Sequence, residues 1–404
     1  MSPKQPPPTR FIGLDVHKHY LIATGVDADL NQVYGPKRVQ FAHLDAWIGG
    51  TLTPQDALVL EMTTNTFQLY DELRPYVHSV TVVHPPHVHL ITRAQVMTDR
   101  IAAHVLATLL AKGLLVSIWV PSEEVRAQRA LVAQRAKMVR LATQAKNRLH
   151  AVLHRCHILP PAEVELFGPQ QRAWWLALEL SPLQLARVRC DLDTLSFAQE
   201  QIRHLEESFK DLAAQDERVA LLVQLPGIGL ISALTLLAAI GDIQRFPDAR
   251  HLVGYAGLGA RVHDSGLSSR SGRITKAGRR DLRAVAVEAA QTAVRVHPHW
   301  QALFQRLEPR LGRNKAIVAV ARKLLIAVWY VLSEGSADRF AEPELVGRKL
   351  LTLAEALGRA RRNGASRAGF VRQHLDRLGL GAELDVVSRG RRDLALPPSM
   401  LTAS

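Results

Sequence analysis

Between Phe11 and Pro121 the apolar positions fall in short runs, at Phe11–Val16, Tyr20–Val26, Val33–Val39, Ala57–Glu61, Val80–Val83 and Leu115–Val120. Runs of this length, rich in β-branched residues, predict strands. Near Phe67–Tyr76 and Thr98–Lys112 the spacing lengthens to that of helices. The first unit therefore reads as α/β: three strands in succession, then strand, helix, strand and helix. From about Ser122 the strands stop. Glu123–His157 predicts one long helix, with Leu131, Met138, Ala145 and Val152 recurring every seven residues and Ala142 and Leu149 beside them. That stripe is narrow enough for a coiled-coil seam. Pro160 and Pro161 break it, and a second helical stretch over roughly Pro182–Leu212 runs back, so the pair reads as a helical hairpin or a dimerising stalk. A third, mostly helical unit begins near Asp216. Its LeuProGlyIleGly at 225–229, ahead of apolar Leu230–Ile240, has the form of a helix-hairpin-helix turn, which either meets a phosphate or simply joins two packed helices. The expected organisation is a lead at 1–10, an α/β domain at 11–121, a helical stalk at 122–215, a helical domain at 216–340 and a basic tail at 341–404 that keeps some helical pattern.

Charge changes this picture. Lys and Arg number 51 against 37 Asp and Glu, a formal net charge of +14, which points to a polyanionic partner, most commonly nucleic acid. On the long helix Arg126, Arg129, Arg135, Lys137, Arg140, Lys146, Arg148 and Arg155 stand with no acid between Val125 and Pro161. A single-sign face suggests phosphate contacts more than a solvated helix laced with ion pairs. The only cysteines, Cys156 and Cys190, exclude a disulfide framework or cysteine-rich zinc site and suit a reducing cytoplasm. His84, His87 and His89 read as a strand edge rather than zinc ligands, and Trp174 and Trp175 as helix packing. The start, MSPKQPPPTR, has no apolar core for export, and apolar stretches such as Ile231–Ile240 fall short of a membrane span, so no membrane role is expected.

Three acids stand out against the strand pattern. Asp15 lies in the first strand on the face opposite Leu14 and Val16, Glu61 closes the run AlaLeuValLeuGlu, and Asp99 opens the helix Thr98–Lys112. The succession of elements is that of a ribonuclease H-like domain, in which such acids can converge on two magnesium ions about 3.5–4 Å apart. Hard divalent cations take oxygen ligands, so the residue types suit them.

The motif ThrAspArgIle-X-AlaHisValLeuAla at 98–107, with ValValHisProProHisValHisLeuIleThrArgAlaGln at 82–95 before it, resembles the DEDD transposases of the insertion-sequence IS110 family, the bridge-RNA-guided recombinases with a RuvC-like domain. The likeness continues through LeuProGlyIleGlyLeuIleSerAla, GlyAspIleGlnArgPhe at 241–246, GlyTyrAlaGlyLeuGly at 254–259 and AspSerGlyLeuSerSerArgSerGlyArgIleThrLysAlaGly at 264–278, so it covers the chain to about Phe340. In that family a fourth acid comes three residues after the third; here that position is Ala102, and no other Asp or Glu lies between Asp99 and Glu123. Met97 and the MetThrThrAsn after Glu61 are smaller departures.

The resemblance also implies that the Ser of the Ser-Gly pair, Ser265, is a nucleophile; composition alone does not separate it from Ser268, Ser269 and Ser271. The segment Arg261–Arg283 brings seven Lys and Arg, Arg270, Arg273 and Lys276 among them, enough for a phosphate-binding loop. By the same resemblance the protein would be a cytoplasmic, nucleoid-associated enzyme that works as a homodimer pairing into a tetramer. It would carry two Mg2+ and a noncoding bridge RNA, act on target and donor DNA, and form a seryl–DNA intermediate. With Ala102 in the metal cage the chain is expected to bind nucleic acid but to be catalytically impaired. A junction-resolving nuclease, which needs the acids but no serine, and a non-catalytic RNA- and DNA-binding protein are the alternatives.

Overall fold

The structure, a computed structural model, describes residues 6–86, 88, 98–162, 165–265, 268–390 and 392–403, so His87, His89 and Met97 lie outside the described residues. The chain divides into two compact units, Met1–Ser122 and Glu123–Ser404.

The first unit is built on β1 (Arg10–Val16), β2 (Tyr20–Val26), β3 (Gln32–Gln40), β4 (Asp56–Glu61) and β5 (Ser79–Val83), in the order β3-β2-β1-β4-β5. β1 runs antiparallel to β2 and parallel to β4, and β4 runs parallel to β5. This mixed sheet agrees with the ribonuclease H-like arrangement expected. Alternation along β1 sends Ile12 and Leu14 to one face, where they are fully buried with Leu21, Leu58 and Leu60 against Trp47 of α1 (Leu44–Thr51) and Leu69 of α2 (Thr66–Leu73). The opposite face is covered by α3 (Asp99–Ala111), whose Leu106 and Leu109 meet Val59 and Val83. Two expectations shift. The helix foreseen to Tyr76 stops at Leu73 and tightens to a 3-10 turn over Arg74–Tyr76, where Pro75 removes a donor. The run Leu115–Val120 makes one bridge, Val83 with Ser117, and serves packing through Ile118 and Val120 rather than a sixth strand.

In the second unit, α4 (Glu123–Arg155) and α6 (Pro182–Gln215) lie antiparallel, with the short α5 (Arg172–Leu176) between them in the chain. The seven-residue stripe of α4 is occupied from within the chain: Ala142, Ala145, Leu149 and Val152 are buried against Val188, Leu192, Leu195 and Ala198 of α6. The two helices form a hairpin. Trp175 is fully buried beneath it and donates to the Leu166 carbonyl at 2.9 Å, a packing role as expected. The rest of the unit comprises α7 (Arg218–Val223), α8 (Leu230–Ile240), α9 (Ala249–Tyr255), a hairpin of β6 (Ala260–Ser265) and β7 (Ser268–Ile274), then α10 (Arg280–Val296), α11 (Pro298–Leu311) and α12 (Arg313–Glu334). Among the described residues α12 is the one helix long and apolar enough to cross a membrane, which the sequence reading missed. It is also a core helix, with Ala316, Ile317, Val320, Leu324 and Val331 among its buried residues.

Residues 341–404, expected as an appended tail, pack into the same core. α13 (Pro343–Arg361), α14 (Arg367–Arg377) and the hairpin of β8 (Val386–Arg389) and β9 (Arg392–Ala395) contribute Val346, Leu350, Val371 and Val387 to it. Buried Arg372 holds this segment together by donating to the carbonyls of Pro397, Gly381 and Leu384. Lys349 of α13 fastens it to the turn at 225–229, its Nζ donating to the carbonyls of Leu225 at 2.6 Å and Ile228 at 2.8 Å. Burial pushes that amine down to about 7. In the same turn Gly227 takes φ +77°, and a Cβ there would lie 2.2 Å from the Ala289 carbonyl of α10. The turn therefore has a tight packing role between α7 and α8.

Candidate functional site

The strand pattern brings two of the three sequence-selected acids to one point. Asp15 is the last residue but one of β1 and shares its face with Gly13, so it looks toward α3. α3 passes so close over β1 that a Cβ on Gly13 would sit 2.0 Å from the Ala103 carbonyl oxygen and 2.7 Å from the Ala107 nitrogen. Asp99 is one turn before Ala103, and Asp15 is two residues past Gly13, so the close crossing sets one acid above the other. Thr98 caps the helix by accepting from the Ile101 amide, and an acid in the first turn suits the positive end of the helix.

His17 completes the cluster. It begins the tight turn from β1 to β2, its amide donating to the Tyr20 carbonyl at 2.9 Å. Its Nε2 lies 3.4 Å from Asp15 Oδ2 and 3.1 Å from Asp99 Oδ2. One ligand atom from each of Asp15, His17 and Asp99 falls within 4.8 Å of the others. The Tyr20 ring stacks on His17 at 4.6 Å, its hydroxyl donates to Asp99 Oδ2 at 3.3 Å, and the Arg38 guanidinium of β3 lies 3.7 Å over its other side. Burial pushes the Asp15 carboxyl above its ordinary value; His17 pulls it down and the Asp99 charge pushes it further up. Two acids crowded in this way favour a cation between them. His17, Tyr20 and Arg38 were not found in the sequence, although a histidine two residues beyond Asp15 continues the same strand alternation.

Glu61 is not among the three converging groups. It ends β4 one rung beyond the pair Leu14 and Leu60, so it and Asp15 leave adjacent parallel strands at the same end and on the same face. Ala102 is on α3 three residues after Asp99, half-buried, with a methyl group where the resemblance expects a carboxylate. Ser265 is the last residue of β6, paired in register with Ser268 of β7; the side chains from Val262 to Ser271, Arg270 included, lie outside what is described. Arg273 and Lys276 are exposed.

The long-helix cations separate into two groups, and the premise of an unopposed basic face needs correcting. Arg135 bonds to Glu206 and Arg148 to Asp191, each at 2.6 Å, because α6 supplies the acids that α4 lacks. Arg129 points inward: its guanidinium donates to the carbonyls of Ala238 and Ala239 at 2.8 and 2.9 Å, satisfying the C-terminal end of α8. Lys146 lies 5.3 Å over the Phe167 ring, and Arg126 is half-buried with contacts of its own. Lys137 and Arg140 are exposed. Replacing Arg129 by Ala is therefore expected to lower unfolding free energy by about 1–3 kcal/mol, through carbonyls left unpaired, whereas Arg140→Ala should change it by less than about 0.5 kcal/mol. Chemical denaturation of the two variants checks this, and equal effects would contradict the assignment.

Comparison with known proteins gives two family models. Residues 12–158 match the DEDD transposase model of IS110 elements, and residues 219–305 match a model described as the transposase IS116/IS110/IS902 family. The transposase for insertion sequence element IS1111A of Coxiella burnetii is 24% identical over 82% of this chain and 91% of its own. A pilin gene-inverting protein of Moraxella bovis is 26% identical over 80% of this chain and 96% of its own. The match with y4qE of Sinorhizobium fredii is shorter, 28% over 62% of this chain and 58% of that protein.

Proposed function

The chain belongs to the IS110 family of transposases, and from that premise we propose that it is an RNA-guided recombinase of an insertion sequence, carrying a magnesium site in the first unit and a nucleophilic Ser265 in the second. The observation that carries the reading is the convergence of Asp15 and Asp99 at one end of a ribonuclease H-like sheet, with Glu61 on the neighbouring strand. Relatives named for transposition and for gene inversion support the cutting and rejoining of DNA as the chemistry.

The residues fit a divalent cation: crowding and burial raise Asp15, and His17 Nε2 occupies the point between the two carboxylates. Asp15, Asp99 and Glu61 would hold it, and magnesium there supplies the positive charge that steadies a phosphodiester as negative charge develops. Tyr20 and His17 both contact Asp99 Oδ2 and so fix the orientation of that carboxylate. The Ser265 hydroxyl oxygen bonds to phosphorus as the bond to the leaving sugar oxygen breaks and that oxygen takes up a proton; a free DNA end later reverses the exchange. Arg273, Lys276, Lys137 and Arg140 are among the exposed cations available to phosphates. A structured noncoding RNA selects target and donor DNA, so the protein reads backbone and shape more than sequence. Pairing into dimers and tetramers then uses surfaces other than the α4 stripe, which α6 covers. Ala102 leaves the metal cage one ligand short, which makes this chain a weak catalyst that still binds RNA and DNA.

Two variants test the reading in an Ala102→Asp background with donor and target DNA and the RNA encoded beside the gene. Asp15→Asn should abolish cleavage. Ser265→Ala should abolish the covalent protein–DNA adduct together with strand exchange. Cleavage that survives Ser265→Ala would replace the recombinase by a junction-resolving nuclease. Failure to recover an RNA from the flanks of the gene with the purified protein would remove the RNA guide.

A further inference from the structure

Away from the acids, the second unit contains a cavity of about 580 Å³ between α11, α12 and the segment 336–340. Its volume is that of a small-molecule site, and its lining joins flat rings and cations to aliphatic side chains and to the carboxylates of Glu334 and Asp338. His299 stacks on Phe340 with centroids 3.5 Å apart and planes 15° from parallel, and Trp300 stands edge-on to both. Tyr330 of α12, half exposed, adds a further ring. Arg306, Lys323 and Arg339 line the same space and are exposed, and neither Arg306 nor Lys323 is held in an ion pair among the described residues.

Two features mark this as a prepared surface. The wall is held open by polar contacts to its backbone: Gln224 donates to the Ser336 carbonyl at 3.2 Å and accepts from the Asp338 amide at 2.8 Å, and His297 Nε2 meets the Phe340 carbonyl at 3.0 Å. Trp300, only 2% exposed, keeps its indole N–H without an acceptor among the described residues. An indole nitrogen is a donor only, and leaving it unpaired in a protein interior is unfavourable unless a ligand or water supplies the acceptor. Burial, then His297, with Arg339 and Lys323, push the His299 imidazole below its ordinary value, against Asp338, which raises it.

We propose that this cavity receives one unpaired nucleotide of a single-stranded segment, its base against the His299, Phe340 and Tyr330 rings, a base carbonyl on the Trp300 N–H, and its phosphate on Arg306 and Lys323. Stacking on rings is tolerant of base identity, and cations at the rim track the backbone, a pairing of features that single strands use. The inference rests on the reading of the chain as a nucleic-acid enzyme. Asp15→Asn, which under that reading ends cleavage, should leave this binding unchanged, so the two can fail separately.

The test uses the full chain, with adenosine monophosphate and inorganic phosphate as small probes and short RNA and DNA single strands carrying one 2-aminopurine. Adenosine monophosphate should bind more tightly than phosphate, and the 2-aminopurine emission should change on binding of at least one strand; the stronger arm identifies RNA or DNA. Arg306→Glu with Lys323→Glu should weaken binding at least about tenfold. Trp300→Phe should weaken it about three- to tenfold while leaving the melting temperature unchanged or higher, because it removes an unpaired donor from the free protein. Nucleotide binding that ignores all three substitutions, monophosphate binding with no response from either strand, or phosphate binding as tightly as the nucleotide would each overturn the proposal.

Discussion

Ala102→Asp is expected to raise magnesium-dependent DNA cleavage by at least about a hundredfold, a gain larger than a lost supporting contact to a metal site produces, because it supplies a ligand outright. Position 102 is on α3 three residues after Asp99, a spacing that sets two side chains on one helical face, and α3 already starts in the right place above β1. The substitution adds a carboxylate to a half-buried position. The fourth acid also adds negative charge beside Asp15, whose carboxyl burial and Asp99 already raise. Without a divalent ion the variant should therefore be less stable than the parent, and with magnesium the order should reverse. Cleavage of labelled donor DNA over a magnesium series, with melting curves at each concentration, measures both. Parent and variant cutting equally fast would remove Ala102 from the metal cage.

Gly13→Ala should be the most damaging single methyl group in the first unit. The added carbon would come 2.0 Å from the Ala103 carbonyl oxygen and 2.7 Å from the Ala107 nitrogen, and both are backbone atoms of a helix that cannot rotate aside. α3 must lift from the sheet, opening the layer of Val59, Val83, Leu106 and Leu109 and carrying Asp99 away from Asp15. Overpacking alone costs about 1–3 kcal/mol, and backbone against backbone belongs at or above the upper end. Loss of folded protein, or a folded protein that no longer binds a divalent ion, is the expected result. A variant as stable and as active as the parent would show that α3 does not owe its position to this glycine.

The acids and the helical stripe were legible because local patterns encode them. Asp15 interrupts an apolar alternation, Glu61 ends one, and Asp99 comes directly after a capping threonine, all within a few residues. His17 lies on the same alternation one step beyond the strand, where the apolar pattern that marks β1 has ended. The partners of α4 were not legible for a different reason. Arg135 and Glu206 are separated by 71 positions in the chain and Arg129 and Ala238 by 109, so no local window holds both members. A basic run was read as exposed because its neutralising acids and carbonyls arrive only when the chain folds back. The final sixty residues misled similarly: their basic composition suggested a tail, yet Arg372 is held inside a folded segment by three backbone carbonyls and Asp376.

The seam between α4 and α6 also orders events in time. Because Ala142, Ala145, Leu149 and Val152 find their cover about 35 to 55 residues further along the same chain, closing the hairpin needs no second molecule. A seam completed by a second copy would instead have tied folding to encounter, leaving newly made chains sticky until a partner arrived. Here that cover is already present within one molecule, so closing this seam does not wait on an encounter.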